Sequence, residues 1–184
     1  MARRPRARLY LARPSGGAAA AGASRYRGRV SGSATAIANL LYTYGRLVDA
    51  GDFEGLGRLL AHARLRDEGG RLDIRGAEAV TRLYEATTRR YPDTGTPKTQ
   101  HVITNPIIEV DEASGSATCR ACYTVFQQTA TLPLQPIVAG HYESSFERVD
   151  GCWRFASHQL AVDLPGDLSQ HLLVDLDPMR GGNA

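Results

Sequence analysis

The stretch 98–110, KTQHVITNPIIEV, holds a histidine among residues that alternate as in a β-strand. Side chains two positions apart on a strand share a face, so His101, Ile103 and Asn105 would lie together. Imidazole groups titrate near neutral pH and are suited to proton transfer. If this face lines a pocket, His101 and Asn105 both point at a ligand. The alternative is a histidine that is only hydrogen-bonded within the wall of the sheet.

The cysteines and the remaining histidines do not form a metal-binding pattern. Cys119 and Cys122 are spaced like a CxxC pair, but they lie inside ATCRACYTVF, which has the character of a strand. Residues three apart on a strand face opposite sides and cannot easily chelate one metal. The histidines lack HxH or HExxH spacing, and no glycine-rich phosphate loop is present. We therefore expect three reduced cysteines in a cytoplasmic protein, no metal and no cofactor.

The charge of the chain is unevenly distributed. Eight of the 22 basic residues are arginines within residues 1–33, which contain no acidic residue. The rest of the chain has 14 basic and 19 acidic residues, a net charge of −5. An acidic body argues against nucleic acid as a partner. No run of about 20 apolar residues is present, so we expect no membrane partner.

Apolar residues at helical spacing predict three helices, and strand-like segments follow them. Gly51 would end the first helix and Asp52 would cap the second. Helices followed by strands indicate an α+β fold, with three helices packed on a curved, four-stranded, mainly antiparallel sheet. The predicted helices are 34–50, 53–63 and 77–91, and the long strands begin near residues 99, 115, 135 and 151. We expect a disordered Arg/Ala/Gly-rich extension at 1–33, one domain at 34–176, and a flexible tail at 177–184.

Four segments stand in the order typical of one family: YGRLVDAGDFEGLGRLL, RGAEAVTRLY, QHVITNPIIEV and GHYESSFERVDGCWRFASHQLAVDL. Over about residues 34–175 the chain resembles the SnoaL-like branch of the NTF2-like superfamily. The resemblance implies a cone of helices and curled sheet that encloses a deep apolar pocket for a small ligand. The superfamily includes dehydratases, isomerases, cyclases, hydrolases and non-enzymatic binders, so the fold alone does not imply one activity.

The resemblance also suggests roles for individual residues. The TQH context of His101 is similar to that of a catalytic histidine in scytalone dehydratases, and Asp49 matches an aspartate that pairs with it. Tyr44 has the spacing to Gly51-Asp52 of the tyrosine that donates a hydrogen bond in ketosteroid isomerases. Each residue has a plainer alternative, an exposed carboxylate at a helix end for Asp49 and a core tyrosine for Tyr44.

The resemblance to the dehydratases is incomplete. Their second catalytic histidine belongs late in the second long strand, where this chain offers Tyr123 and Phe126 instead. We expect these two residues to contact the ligand, together with His158 on the last strand.

The resemblance therefore implies a cofactor-independent lyase or isomerase for a small apolar oxygenated metabolite, such as a polyketide or steroid-like compound. His101 would be the general acid/base, Asp49 would orient it, and Tyr44 or Asn105 would donate to a developing enolate oxygen. The alternative is a non-catalytic ligand-binding or dimerisation module. We also expect a homodimer, because the outer face of the sheet would carry apolar side chains that need cover.

Overall fold

The structure is a computed structural model that describes residues 32–174. These residues form three helices and six strands. The helices are α1 (Gly32–Ala50), α2 (Phe53–Leu59) and α3 (Ala77–Thr87). The strands are β1 (Arg64–Asp67), β2 (Asp73–Arg75), β3 (Thr99–Asp111), β4 (Ser116–Gln127), β5 (Gln135–Val149) and β6 (Cys152–Pro165).

All six strands form one curved, unclosed sheet in the order β2-β1-β6-β5-β4-β3. The four long strands form the antiparallel meander expected from the sequence. The expected count of four strands is wrong, because β1 pairs parallel to β6 and β2 pairs antiparallel to β1. The sequence indicates a short strand and turn region at 64–75, but the two strands there are mostly charged, so no apolar alternation indicates that they join the sheet.

The helices lie against the inner face of the sheet and enclose the core. In β4 every second residue from Ala117 to Gln127 is buried, which marks that face. Helix α1 lies along β3 and also touches β6, while α2 and α3 pack against each other. The outer face is largely polar and carries ion pairs between neighbouring strands: Arg120–Glu143, His141–Asp163 and Arg154–Glu147.

The helices differ from their predicted bounds at their ends. Helix α1 begins at Gly32, two residues before the predicted start, whereas α2 and α3 end four residues earlier than predicted. The predicted extension, apart from its last two residues, and the predicted tail at 177–184 lie outside the described residues. Of the helices in the described part of the chain, none is long and apolar enough to cross a membrane.

Candidate active site

The side chains of Asp49 and His101 meet where the C-terminal end of α1 crosses β3. Asp49 Oδ1 lies 2.6 Å from His101 Nδ1, and Asp49 Oδ2 accepts a hydrogen bond from the backbone N–H of His101 at 2.7 Å. The hydroxyl of Thr99 donates to Asp49 Oδ1 at 2.8 Å. The carboxylate therefore holds both the main chain and the ring of one residue, and fixes the orientation of that ring.

Gly51 and Gly45 allow α1 to position Asp49 against His101. Gly51 has a φ of +70° and ends the helix: its N–H donates to the carbonyl of Val48, and the N–H of Asp52 donates to that of Leu47. Asp49 thus lies in the last turn, where a negative charge opposes the helix dipole and needs other partners. One turn earlier, a Cβ at Gly45 would lie 3.1 Å from the Cβ of His101. The absence of a side chain there permits the close approach of helix and strand.

The electrostatics favour an ionised carboxylate. Burial alone would raise the pKa of Asp49, but the hydrogen bonds and charge of His101, with the Thr99 hydroxyl, outweigh it and lower that pKa. With Nδ1 directed to the carboxylate, the ring's other nitrogen, Nε2, has no hydrogen-bond partner among the described residues and is not among their fully buried polar atoms. The arrangement leaves one imidazole nitrogen free to exchange a proton.

Tyr44 lies on the same helix but faces a different group of rings. Its hydroxyl is 2.7 Å from the hydroxyl of Tyr84 on α3, and its ring makes edge contacts with Tyr142 and His158. Burial raises the pKa of Tyr44 well above its usual value and that of Tyr84 to about 12, so both hydroxyls keep their protons at neutral pH. Tyr44 directly precedes Gly45, the residue at which α1 approaches His101, so this tyrosine cluster lies near the Asp49–His101 pair.

Tyr123 and His158, which were also predicted to contact the ligand, belong to the same cluster of rings. Tyr123 stacks on Tyr142 with ring centroids 4.4 Å apart, and its hydroxyl donates to the carbonyl of Ala161. His158 is fully buried, its Nδ1 lies 2.8 Å from the Ser144 hydroxyl, and its Nε2 has no partner in the described part of the chain. Burial lowers the pKa of His158 to about 3, so the ring is neutral.

Asn105 and Phe126 are not on the inner face, contrary to prediction. The β3–β4 register shifts between Thr104 and Ile107, and Asn105 lies in this bulge with a φ of +54°, exposed to solvent. The bulge ends the alternation that would have put it beside His101. Phe126 pairs with the exposed Gln100, on the face opposite to Tyr123.

One residue outside the predicted set of site residues lies near the pair; its place beyond the last strand predicts that it either closes the mouth of a pocket or packs at a dimer contact. His171 follows β6 in a segment outside the sheet, is only 8% exposed, and has a buried Nδ1 without a hydrogen-bond partner in the described chain. Its electrostatic neighbours include His101 and Asp49. No periodic pattern marks this histidine in the sequence, because it belongs to neither a strand nor a helix.

The cysteines and acidic groups show no metal centre within residues 32–174. No group of three or more His, Cys, Asp or Glu side chains there could hold an ion. Cys119 is buried and Cys122 exposed, which agrees with their predicted opposite faces on β4, and all three cysteines are free thiols.

Comparison with known proteins identifies the family. A SnoaL-like domain matches residues 30–159, which is most of the chain, and the protein therefore belongs to the SnoaL-like family. The search of curated proteins gave no match.

Solved structures show the same fold at low sequence identity. An NTF2-like protein with a cystatin-like fold from Novosphingobium aromaticivorans is 21% identical, with a TM-score of 0.61 over 81% of this chain and 96% of that one. A protein of unknown function from Mycobacterium tuberculosis is 24% identical, with a TM-score of 0.60 over 76% and 78%. A second N. aromaticivorans protein, provisionally assigned as a scytalone dehydratase, is 21% identical, with a TM-score of 0.58 over 73% and 87%. The chain thus has the NTF2-like fold.

Proposed function

We propose that this protein is a cofactor-independent lyase or isomerase of the dehydratase or cyclase type. Its substrate would be a small, apolar, oxygenated metabolite, such as a polyketide or steroid-like compound. The observation that carries this proposal is the Asp49–His101 pair, in which a partly buried carboxylate orients an imidazole and leaves Nε2 free. A carboxylate–imidazole pair of this kind is a common general acid/base.

The proposed reaction begins with the neutral form of His101. Its Nδ1–H donates to Asp49, so the Nε2 lone pair can take a proton from the carbon next to a carbonyl group. The C–H electrons then form a carbon–carbon double bond while the π electrons of the carbonyl group move to its oxygen, which gives an enolate. Asp49 then stabilises the imidazolium. In an isomerisation the same proton returns to another carbon of the substrate. In a dehydration it goes to the departing hydroxyl, whose C–O bond breaks with loss of water.

The tyrosine cluster supports a substrate that is aromatic or alicyclic and oxygenated. The hydroxyls of Tyr44, Tyr84 and Tyr142 remain protonated at neutral pH. Because the side chains of Tyr44 and Tyr142 are almost fully buried, a substrate would reach them only by displacing their present neighbours. Tyrosine side chains contact apolar carbon with the ring and donate to oxygen with the hydroxyl. Tyr44 would stabilise a developing enolate oxygen if the substrate displaces its contact with Tyr84.

The proposal is tested by proton exchange, which is measurable on any enolisable compound whatever the final product. The protein is incubated in D₂O with a panel of cyclic enolisable ketones and hydroxyketones, and deuterium uptake or water loss is followed by mass spectrometry. We expect exchange with the wild type and a loss of at least ~10²-fold for His101→Gln. Equal exchange by wild type and His101→Gln, with both folded, would contradict the proposal.

The second candidate is a non-catalytic ligand-binding or dimerisation module. The tight packing of the inner rings favours it, since Tyr44, Tyr142 and His158 are almost fully buried against each other. This candidate predicts that the wild type binds compounds of the panel and returns them unchanged in D₂O.

We further propose that the protein is a cytoplasmic homodimer. Leu164, near the end of β6, is 70% exposed. Covering it with a second copy would remove apolar surface from water. The three free thiols are consistent with a reducing compartment.

A further inference from the structure

The segment 166–174, which follows β6, returns across the end of the sheet next to the Asp49–His101 pair; we call it the C-terminal segment. The hydroxyl of Tyr91 donates to the carbonyl of Gln170 at 2.7 Å, and Gln127 Nε2 donates to the same carbonyl at 3.1 Å. The N–H of Arg89 donates to the carbonyl of His171 at 2.8 Å. These contacts fix the backbone on both sides of the His171 side chain.

Gln127, which holds the C-terminal segment in place, is connected to the candidate active site through the sheet. Gln127 ends β4 and pairs with Thr99 of β3, whose hydroxyl donates to Asp49. His101 is two residues further along β3, on the same inner face as Thr99 and Gln127. Gln127 Nε2 therefore holds the backbone at Gln170 beside the end of the inner face that carries the site, and His171 is the next residue.

Two polar atoms in this region are buried without a partner. His171 Nδ1 and Gln127 Oε1 have no hydrogen bond within residues 32–174, although the two residues are only 8% and 1% exposed. Leaving a buried polar atom unpaired costs about 1–3 kcal/mol. His171 Nδ1 is enclosed by protein, so a bound molecule would reach the ring at its other nitrogen, Nε2, which is not among the fully buried polar atoms without a partner.

The charge state of His171 decides what it can contribute. Burial, and then the charge of His101, lower its pKa to about 4, against the opposing effect of Asp49. At neutral pH the ring is therefore neutral and can donate a hydrogen bond without competing with His101 for the transferred proton. A neutral imidazole of this kind can polarise a carbonyl oxygen.

We propose that His171 is a catalytic residue of this site, whose neutral imidazole donates a hydrogen bond to a substrate oxygen while the Asp49–His101 pair moves the proton. This inference rests on the proposed function and narrows its substrate class to enolisable carbonyl compounds. The hydrogen bond strengthens as negative charge develops on the oxygen, and no proton leaves His171.

The kinetic test compares three variants in the D₂O exchange assay. Removing one such donor typically lowers kcat by ~10²–10³-fold. We expect a loss of this size for His171→Phe with little change in KM, and partial recovery in His171→Gln, whose amide can still donate. Ser169→Ala, an exposed position of the same segment, is the control and should keep full activity. Full exchange by His171→Phe, or equal losses in His171→Phe and His171→Gln, would overturn the proposal.

A binding test separates this inference from the proposed function. 2-Naphthol serves as an enolate-like probe that cannot react, and ¹⁵N-histidine NMR follows its contact with His171. We expect the His171 ring resonance to shift with 2-naphthol, and the affinity to fall at least ~10-fold in His171→Phe but not in Ser169→Ala. If no substrate exchanges but these effects occur, the proposed function fails while His171 remains a ligand donor. If the His171 resonance does not respond at any probe concentration, the inference fails.

Discussion

At the scale of single residues, Asp49 has more partners than a carboxylate at a helix end needs. Three donors converge on it, two of them from His101. Its charge is unfavourable where α1 ends, and these hydrogen bonds offset that cost. The same bonds determine the tautomer and the direction of the imidazole. Both the charge balance at the end of α1 and the proposed proton transfer therefore depend on Asp49.

Asp49→Asn separates charge from shape at this position. An amide is nearly the same size but can no longer stabilise an imidazolium, and it favours the wrong tautomer of His101. We expect the D₂O exchange rate to fall at least ~10²-fold while the fold is kept. Asp52→Asn is the matched control, because Asn also caps a helix and Asp52 only accepts from the N–H of Gly55. Exchange that is unchanged in Asp49→Asn would remove Asp49 from the mechanism.

The sequence could predict the Asp49–His101 pair, whereas it placed His171 only beyond the sheet, at the mouth of a pocket or at a dimer contact. Strand periodicity placed His101 on one face, and the family resemblance supplied Asp49 from a distant segment. His171 lies in an irregular segment whose path depends on hydrogen bonds from Tyr91 and Gln127, which no local pattern encodes. Phe126 could have been placed correctly, since it is three residues from Tyr123 and such residues face opposite sides of a strand.

At the scale of elements, the crossing of α1 over β3 determines whether the pair can form. Gly45 is the contact point, and its missing side chain sets the distance between helix and strand. Asp49 lies one turn beyond it, so a displacement of the helix at Gly45 reaches the carboxylate directly.

Gly45→Val tests this crossing. The new side chain would meet His101 and Ile103, and the helix must move outward to relieve the contact. We expect the free energy of unfolding to fall by about 1–3 kcal/mol. The D₂O exchange rate should fall by a larger factor than the affinity for the compounds of the panel. Urea unfolding and the exchange assay measure the two effects. Gly32→Val, where a Cβ would meet no atom within 4 Å, is the control. A fully active Gly45→Val would show that the spacing is not critical.

The elements were predicted less well at the edges than in the middle of the fold. The four long strands could be predicted because each spans 12 to 15 residues rich in strand-forming side chains between turn signals. In β1 and β2 the ladder is made by backbone pairing, with Arg64 and Asp73 joined across it as an exposed ion pair. The bulge at Asn105 also escaped prediction, although Pro106 follows it and cannot donate to a ladder.

At the scale of the whole molecule, buried histidines link stability to pH. Burial lowers the pKa of His158 to about 3 and that of His171 to about 4, against ~6.5 for an unfolded histidine. Below pH ~6.5 the unfolded chain therefore binds more protons than the folded one, and stability falls as the pH decreases toward 4.

We expect the free energy of unfolding to be smaller at pH 5.5 than at pH 7.5, by on the order of 1 kcal/mol for each buried histidine. Urea titrations at the two pH values measure it. His158→Phe should reduce the difference, whatever its effect at pH 7.5, whereas the exposed His62→Gln should not. A difference that is the same in wild type and His158→Phe would show that His158 does not contribute.

The proposed dimer makes a prediction at the same scale. The outer face is largely polar, contrary to the apolar outer face expected from the sequence, and Leu164, which is 70% exposed, is the position on β6 where a second copy would bind. We expect light scattering to give a mass of two chains, and Leu164→Glu to reduce it to one. Tyr42→Glu, an exposed apolar position on α1, should remain dimeric. A wild-type mass of one chain at micromolar concentration would contradict the dimer.

The two hydrogen bonds between Asp49 and His101, one to the main chain and one to the ring, have a stereochemical consequence. A ring whose main chain and Nδ1 are tied to the same carboxylate cannot flip or swing, so its Nε2 lone pair points in one direction. A base held in this way would remove only one of two prochiral hydrogens and would return a proton to only one face of a planar enolate. The product would then be a single enantiomer, with its handedness set by the side from which α1 meets β3.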